Sequence, residues 1–388
     1  MYIKRKLMEK LRLNAQGFPV ITITGPRQSG KSTLAKIAFP DYKYVSLEDP
    51  DIREFAINDP RQFIKENQEK VIIDEFQKAP QLTSYLQSHI DDLNKPGMYI
   101  LTGSNQFEYF GQVTQSLAGR TAIFRLLPFS YNEIYSTTEP ESVYGTMVKG
   151  FYPRIFDQKL DINIFYSSYF DTYIQRDVRS VQNVKDLMLF QNFVRLCAGR
   201  TGQLVNFTNL ANELGVSHKT IKEWLSIMQA SYIIHLLPPF HNNFNKRILK
   251  SPKIYFYDTG LVCYLLGINK VEQLNLHPLR GEIFETFIFS ELIKSRYNNG
   301  RRSNLYFFRD SNGHEVDFIA ETGSGLDAIE VKLNATPRKA LFKNLPYFND
   351  LASNCNNSFL IYNGSESSIR YNTHLTPYKY TDSIDSFE

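Results

Sequence analysis

The stretch GPRQSGKST, residues 25–33, fits the pattern G-x-x-x-x-G-K-S/T at every fixed position. Upstream, VITIT (20–24) is a β-branched run that reads as a buried strand, and from residue 31 KSTLAKIAF reads as the first turns of a helix. A glycine-rich loop between strand and helix is a phosphate-binding loop. Gly25 and Gly30 let the backbone wrap its amides round an anion, and the helix N-terminus adds unpaired N–H groups and a positive dipole end. The expected cradle is Gly25, Pro26, Arg27, Gln28, Ser29, Gly30, Lys31, Ser32 and Thr33. Lys31 is expected to reach the β and γ phosphates, and the Ser32 hydroxyl to ligate Mg²⁺.

Strand and helix then alternate. YKYVSL (42–47) is a second strand, followed by a polar turn and a helical stretch to about residue 64. KVIIDE (70–75) is an apolar run ending in two carboxylates, which is how a buried parallel strand delivers acids to the carboxyl edge of a sheet. This Walker B pattern assigns Asp74 to Mg²⁺ through water, and Glu75 to orienting or deprotonating the attacking water. MYIL (98–101) ends at Thr102-Gly103-Ser104-Asn105, where either Ser104 or Asn105 is placed to touch the γ-phosphate or that water. A further helix closes with SLAGR (116–120) and leads into TAIFRLLPF.

This order resembles the AAA+ ATPase core. More narrowly, GPRQSGKST, VIIDEFQKAP, LTGSNQF, SLAGR and LLPFSYNEI look like a family of bacterial and archaeal ATPases that carry an uncharacterised C-terminal domain, and the resemblance covers nearly the whole chain. It implies ATP and Mg²⁺ as cofactors, with ATP or ADP as the bound nucleotide. It also implies that Arg120 acts as a finger on a neighbouring subunit's nucleotide, which requires a homo-oligomer; an ordinary salt bridge is the alternative. GFYPRI (150–155) and YIQRDVR (173–179) fall where such proteins have a helical lid, so Arg154 or Arg176 either senses nucleotide or pairs with Asp171 or Asp177.

Bulk properties bound the rest. A chain of 388 residues implies two or three domains, and 42% hydrophobic with 22% charged residues is globular rather than disordered. The net charge of +4 leaves any affinity for nucleic acid to local patches. Cys197, Cys263 and Cys355 lack metal-ligand spacing and suit a reducing compartment. MYIKRKLMEKLRLN at the start lacks the apolar core of a signal peptide, and no apolar run is long enough for a bilayer; the expectation is a cytoplasmic protein with no membrane partner.

Residues 208–240 change grammar. Leu210 and Leu214 close one helix, GVS (215–217) turns, and Ile221, Leu225 and Met228 mark the buried face of the next, with Trp224 in the core. YIIHLL (232–237) and KIYFY (253–257) then read as strands joined by a basic tip, which makes the unit a winged helix. Such a unit binds double-stranded DNA or a protein partner. In the first case Ser217, His218, Lys219 and Lys222 face the major groove while Lys246, Arg247 and Lys250 meet phosphates. His218 and His235 read as surface or packing residues rather than metal ligands.

From about residue 280 an amphipathic helix (281–297) precedes three strands, NLYFFRD, EVDFIAE and DAIEVKL. Glu330 and Lys332 are two apart on one strand and share a face, and Asp317 on the preceding strand is close enough to share it. Together with helical Glu285 the arrangement resembles the restriction-endonuclease-like PD-(D/E)-x-K fold, with Val316 in place of the leading proline. The resemblance makes Asp317 and Glu330 metal ligands, positions a water against a phosphodiester and gives Lys332 the charge to stabilise.

The expected fold is α/β: a P-loop AAA+-type parallel-sheet domain (1–135), a helical lid or connector (136–196), a winged helix-turn-helix (197–262) and a restriction-endonuclease-like α/β domain (263–388). Two functions fit. One is an Mg²⁺-dependent ATPase that couples its nucleotide state to DNA binding and cleavage. The other is a nucleotide-gated switch that binds a protein partner with little turnover, its nuclease-like domain inactive. Glu75 favours the enzyme, because a pure binder needs no water-orienting carboxylate.

Overall fold

The computed structural model describes residues 3–104, 117–136, 138–158, 160–174, 178, 184, 186–240, 251–352 and 354–386. Asn105, Arg176, Lys246, Arg247 and Lys250, singled out in the sequence, lie outside the described residues, as does Asp177.

The first sheet holds β1 (Val20–Thr24), β2 (Lys43–Ser46), β3 (Val71–Asp74), β4 (Tyr99–Gly103) and β5 (Thr121–Arg125), in the order β2-β3-β4-β1-β5 with every pair parallel. The period of two sends alternate residues to opposite faces. Val20, Val71, Ile73, Tyr99 and Leu101 pack on one side with Phe63, Leu82, Leu86 and Ile90. Ile21, Ile23, Ile72 and Ile100 pack on the other with Leu7, Leu11, Leu34 and Ala35. Both faces being covered is why these strands are apolar throughout rather than alternating.

Two helices, Phe207–Leu214 and His218–Ala230, stand where the sequence suggests a helix-turn-helix, the second capped by the Ser217 hydroxyl, which accepts from Thr220 N–H at 3.1 Å. Trp224 is buried between Phe190 and Phe193. Two antiparallel strands follow, β6 (Ile234–Leu237) and β7 (Lys253–Phe256). The last six strands are β8 (Leu305–Arg309), β9 (Glu315–Glu321), β10 (Leu326–Lys332), β11 (Cys355–Tyr362), β12 (Ser368–Arg370) and β13 (Thr373–Pro377). They form one mixed sheet in the order β12-β13-β11-β10-β9-β8, parallel only across β10, β11 and β13.

The helix Arg280–Asn298 departs from the amphipathic expectation. From Ile283 to Asn298 almost every residue is buried, including Thr286, Ser290, Glu291, Lys294 and Arg296. It touches β5 of the first sheet, β7 of the hairpin, β10 of the second sheet and the C-terminal turns Tyr378–Ser386, so no side is left for water. The polar residues that suggest a wet face are paired instead. Lys294 Nζ lies 2.9 Å from Glu291 Oε1, and Glu291 Oε2 accepts from Tyr131 N–H at 2.7 Å. Burial pushes the Glu291 carboxyl up while Lys294 pulls it down. One hydrophobic cluster around this helix runs from Leu127 to Ile384.

Removing Glu291 would leave the Lys294 ammonium buried without its carboxylate. Glu291→Ala is expected to cost about 3–5 kcal/mol of unfolding free energy, seen as a lowered urea midpoint. Glu9→Ala, which breaks only the exposed Lys4–Glu9 pair, should leave that midpoint in place.

Candidate functional site

The phosphate loop follows β1, an internal strand between β4 and β5, at the carboxyl edge of the sheet where open α/β sheets bind ligands. Crowding fixes its first residue: a Cβ at Gly25 (φ 152°) would lie 2.0 Å from the Leu126 carbonyl oxygen. Gly30, at φ 91°, turns the chain into the helix Lys31–Ala38. The buried Lys31 ammonium lies across the loop, donating to the carbonyls of Gly25 at 3.0 Å and Pro26 at 2.8 Å. Ser29 Oγ is buried there with no hydrogen-bond partner, a donor left for an oxyanion. The cleft above the loop has a volume of about 650 Å³, with Arg5, Glu75, Phe129, Pro153 and Arg154 among its walls.

Asp74, at the end of β3, is the centre of a hydroxyl network. Ser32 Oγ lies 2.9 Å from both of its carboxylate oxygens, Tyr44 OH donates to Oδ2 at 2.6 Å and Thr102 Oγ1 donates to Oδ1. Burial, then the Asp74 carboxylate, push the Tyr44 phenol well above its ordinary range. A hydroxyl beside a carboxylate, next to a phosphate cradle, is the hard-oxygen set that suits Mg²⁺, which takes few protein ligands and completes its shell with phosphate and water. Tyr44 and Thr102 belong to no motif. Their only signal in the sequence is position, on the two strands that flank β3.

Glu75 follows in a left-handed conformation (φ 54°) that turns it onto the cleft wall, where Gln77 Nε2 donates to Oε2. The same amide donates to Ser104 Oγ at 3.3 Å, so Ser104, buried after β4, stands one residue away from Glu75 through Gln77.

Arg120 lies elsewhere. Its carbonyl accepts from Val20 N–H at the start of β1, so it sits at the amino edge of the sheet, opposite the phosphate loop of its own chain. Its guanidinium holds Asp91 through two bonds, of 2.5 Å (Nε to Oδ1) and 2.8 Å (NH2 to Oδ2), at the exposed surface. That hydrogen-bonded pairing lowers the Asp91 pKa and raises that of Arg120. Arg154 does line the cleft, and its Nε donates to Gln158 Oε1 at 3.1 Å rather than to Asp171.

On the helix-turn-helix, Ser217, His218, Lys219 and Lys222 are exposed; His218 packs on Phe207 and Lys219 reaches Glu223 at 3.9 Å. His235 is a packing residue between Tyr257 and Phe289, kept neutral because burial lowers its pKa to about 4.

Three of the four C-terminal residues meet. The β9–β10 ladder pairs Ile329 with Phe318, the neighbours of Glu330 and Asp317, and Lys332 Nζ lies 2.6 Å from Glu330 Oε1 and 3.4 Å from Asp317 Oδ2. Asp317 Oδ2 also accepts from Val331 N–H at 2.8 Å. Glu285 is engaged from the hairpin, by Lys253 Nζ at 3.1 Å and by Tyr255 OH. Lys253 further pairs with Glu315 at 2.5 Å. The carboxylates thus have two buried or half-buried lysines as counter-ions, and among the described residues no three His, Cys, Asp or Glu side chains are arranged to hold a metal ion. Glu330 Oε2 is buried there with no hydrogen-bond partner.

Comparison with known proteins divides the chain in three. Residues 17–135 match an AAA domain. The phosphate loop, Asp74 and the parallel sheet therefore lie in the region that is similar to an AAA domain. Residues 140–272 and 280–380 match two domains of unknown function, DUF8612 and DUF4143. An uncharacterised protein of Mycobacterium tuberculosis is 27% identical over 339 residues, covering 86% of this chain and 75% of the relative. One of Haemophilus influenzae is 23% identical over 341 residues, covering 80% and 81%. Among solved structures, a Walker-type ATPase of Pyrococcus abyssi aligns with 68% of this chain and 96% of its own at 12% identity and a TM-score of 0.46. The RuvB Holliday junction branch migration motor of Thermotoga maritima aligns with 60% and 86% at 15% identity and a TM-score of 0.30. Among the described residues no helix is long and apolar enough to cross a membrane.

Two measurements probe these sites. Each hydroxyl on Asp74 makes a hydrogen bond to a charged group, for which a net value of roughly 1.5–3 kcal/mol is usual. Tyr44→Phe and Thr102→Val are each expected to weaken ATP binding in the presence of Mg²⁺ by about tenfold or more, read by titration calorimetry. In the C-terminal cluster, burial pushes the Glu285 carboxyl up to about 7 and Glu330 to about 8, against the pull of the lysines. The native carboxyls hold protons that the unfolded chain releases near 4.5, so the cluster's contribution to stability is full below pH 4.5 and is lost as pH rises toward about 8. Glu330→Gln is expected to flatten the fall of the urea midpoint across that window.

Proposed function

We propose that the protein is an Mg²⁺-dependent ATPase that couples its nucleotide state to engagement of double-stranded DNA by the helix-turn-helix. The observation that carries the ATPase reading is the pairing of Ser32 with Asp74 beside the Lys31 ammonium. Lys31 and the loop amides bind the β and γ phosphates, and Ser29 Oγ adds a donor. Ser32 and Asp74 hold Mg²⁺, which supplies charge stabilisation to the phosphoryl oxygens when bound. Glu75, on the cleft wall, takes the proton of the attacking water, and the Gln77 amide that bonds both Glu75 and Ser104 orients the pair. Support for DNA comes from Lys219 and Lys222, exposed on the first turns of the second helix, where a major-groove reader carries its contacts.

A second reading is a nucleotide-held switch for a protein partner. It is favoured by Arg120, whose pairing with Asp91 of its own chain leaves a transition-state finger to be assembled by a neighbour. For the C-terminal domain, the meeting of Asp317, Glu330 and Lys332 supports a nuclease-like ancestry, and the lysines on the carboxylates support an inactive one.

Phosphate release should be measured for the wild type and Lys31→Ala with Mg²⁺, with and without duplex DNA. The expected result is turnover at least about a hundredfold higher in the wild type, raised by DNA and not raised in Lys219→Ala/Lys222→Ala. Absence of turnover in the wild type, with nucleotide still bound, would transfer the assignment to the switch.

A further inference from the structure

We propose that Tyr232 is a positioning residue for the phosphate loop: its hydroxyl, delivered from the end of the helix-turn-helix, sets the side chain of Thr24, the residue before Gly25. The proposal rests on the reading of that loop as a nucleotide site.

Tyr232 lies two residues beyond the helix His218–Ala230, at φ +57°, a region that a bulky aromatic residue rarely adopts. Such a conformation persists only where the surroundings over-determine it. Here they do. Tyr232 N–H donates to Gln229 O at 3.1 Å, Ile233 N–H to Met228 O at 2.9 Å, and Ile233 O accepts from Tyr257 N–H at 3.1 Å, so the residue is fixed between the helix and the hairpin.

The effect is to send the phenol out of its own unit and into the ATPase sheet, where Tyr232 OH lies 2.7 Å from Thr24 Oγ1, 208 residues away in sequence. The direction of this bond follows from the next one. Thr24 Oγ1 donates to Phe124 O at 3.3 Å, and a hydroxyl has one proton, so Tyr232 is the donor to Thr24. The result is a two-step chain, phenol to hydroxyl to backbone, in a buried setting where each bond polarises the next.

Thr24 is also held by its backbone, since its carbonyl accepts from Leu126 N–H at 2.7 Å. Gly25 follows with no space for a Cβ against Leu126 O, so the direction in which the chain leaves Thr24 is the direction in which the loop starts. Beside this contact Arg125, the last residue of β5, is hydrogen-bonded to Tyr232 and lies 5.2 Å from the Tyr297 ring of the central helix. A displacement of the helix that carries Lys219 and Lys222 therefore has a direct route to the phosphate loop through the Tyr232 side chain, and by linkage a bound nucleotide acts back on that helix.

A space-filling role and a positioning role make different demands. Phenylalanine fills the same space, but it cannot donate to Thr24. Binding of a fluorescent ATP analogue and steady-state turnover should be measured on the full chain for Tyr232→Phe, Thr24→Val, the double variant and Thr24→Ser. Tyr99→Phe, which removes a buried phenol bonded to Asn67 O and Gln68 O, is the control for a lost hydroxyl in the same domain. The expected result is a loss of nucleotide affinity of about threefold to tenfold in Tyr232→Phe and in Thr24→Val. The double variant should be no worse than the weaker single one, Thr24→Ser should bind as the wild type does, and Tyr99→Phe should keep full affinity. Tyr232→Phe within error of the wild type, or two losses that simply multiply, would overturn the proposal while leaving the nucleotide site in place. A wild type that binds no nucleotide would overturn the site itself, and this assignment with it.

Discussion

The burial of one helix on every side is the constraint on which the rest depends. Arg280–Asn298 meets the ATPase sheet through β5, the hairpin through β7 and the second sheet through β10. An element with three such neighbours cannot keep a solvated face, so its charged residues must find partners inside. Glu291 and Lys294 do so with each other and with the backbone of Tyr131, which starts the first helix after the ATPase sheet. The cost of desolvating that pair is offset by geometry that satisfies both ions, and the pair specifies how the helix docks. One hydrophobic cluster thus joins the two regions of unknown function to the end of the AAA-matched region, while the first sheet keeps a cluster of its own on each face.

The site obeys a similar logic at smaller scale. A carboxylate at the edge of a buried strand would be costly if left without donors, and Asp74 receives three hydroxyls, from β2, β4 and the phosphate-loop helix. That network is also what a cation site needs, because hydroxyls can turn from donating to a carboxylate to coordinating an ion. In the C-terminal cluster the donors are ammonium groups instead. Lysine ammonium groups bond the carboxyl groups directly, and the same residue types that could bind a metal become a clasp between the hairpin strand β7 and the second sheet.

Much of this was legible in the sequence, and where it was not the reason is physical. The phosphate loop, Asp74 and the parallel strands follow from short-range patterns: glycines at fixed spacing, β-branched runs and acids at strand ends. The meeting of Glu330, Lys332 and Asp317 follows from strand periodicity across one short turn. Tyr44, Thr102 and Tyr232 act across 28 to 208 residues of chain, and nothing local marks them. The central helix misled because Thr286, Ser290, Glu291 and Lys294 look like a polar stripe; periodicity cannot distinguish a face that meets water from one that meets its own partners. Lys253 reads as the first residue of a strand, and only the fold turns it toward Glu285.

The crowding at Gly25 bears on how variants of this loop are interpreted. Any side chain there collides first with the Leu126 carbonyl, in the segment leaving β5, before it approaches the space a phosphate would fill. An alanine at this position would force β1 and the chain after β5 apart at the point where Thr24 and Leu126 share a backbone hydrogen bond. An inactive protein made that way would report a sheet pulled open, not a lost contact to nucleotide, whereas a substitution at Ser29, whose hydroxyl has no partner in the loop, isolates the second from the first.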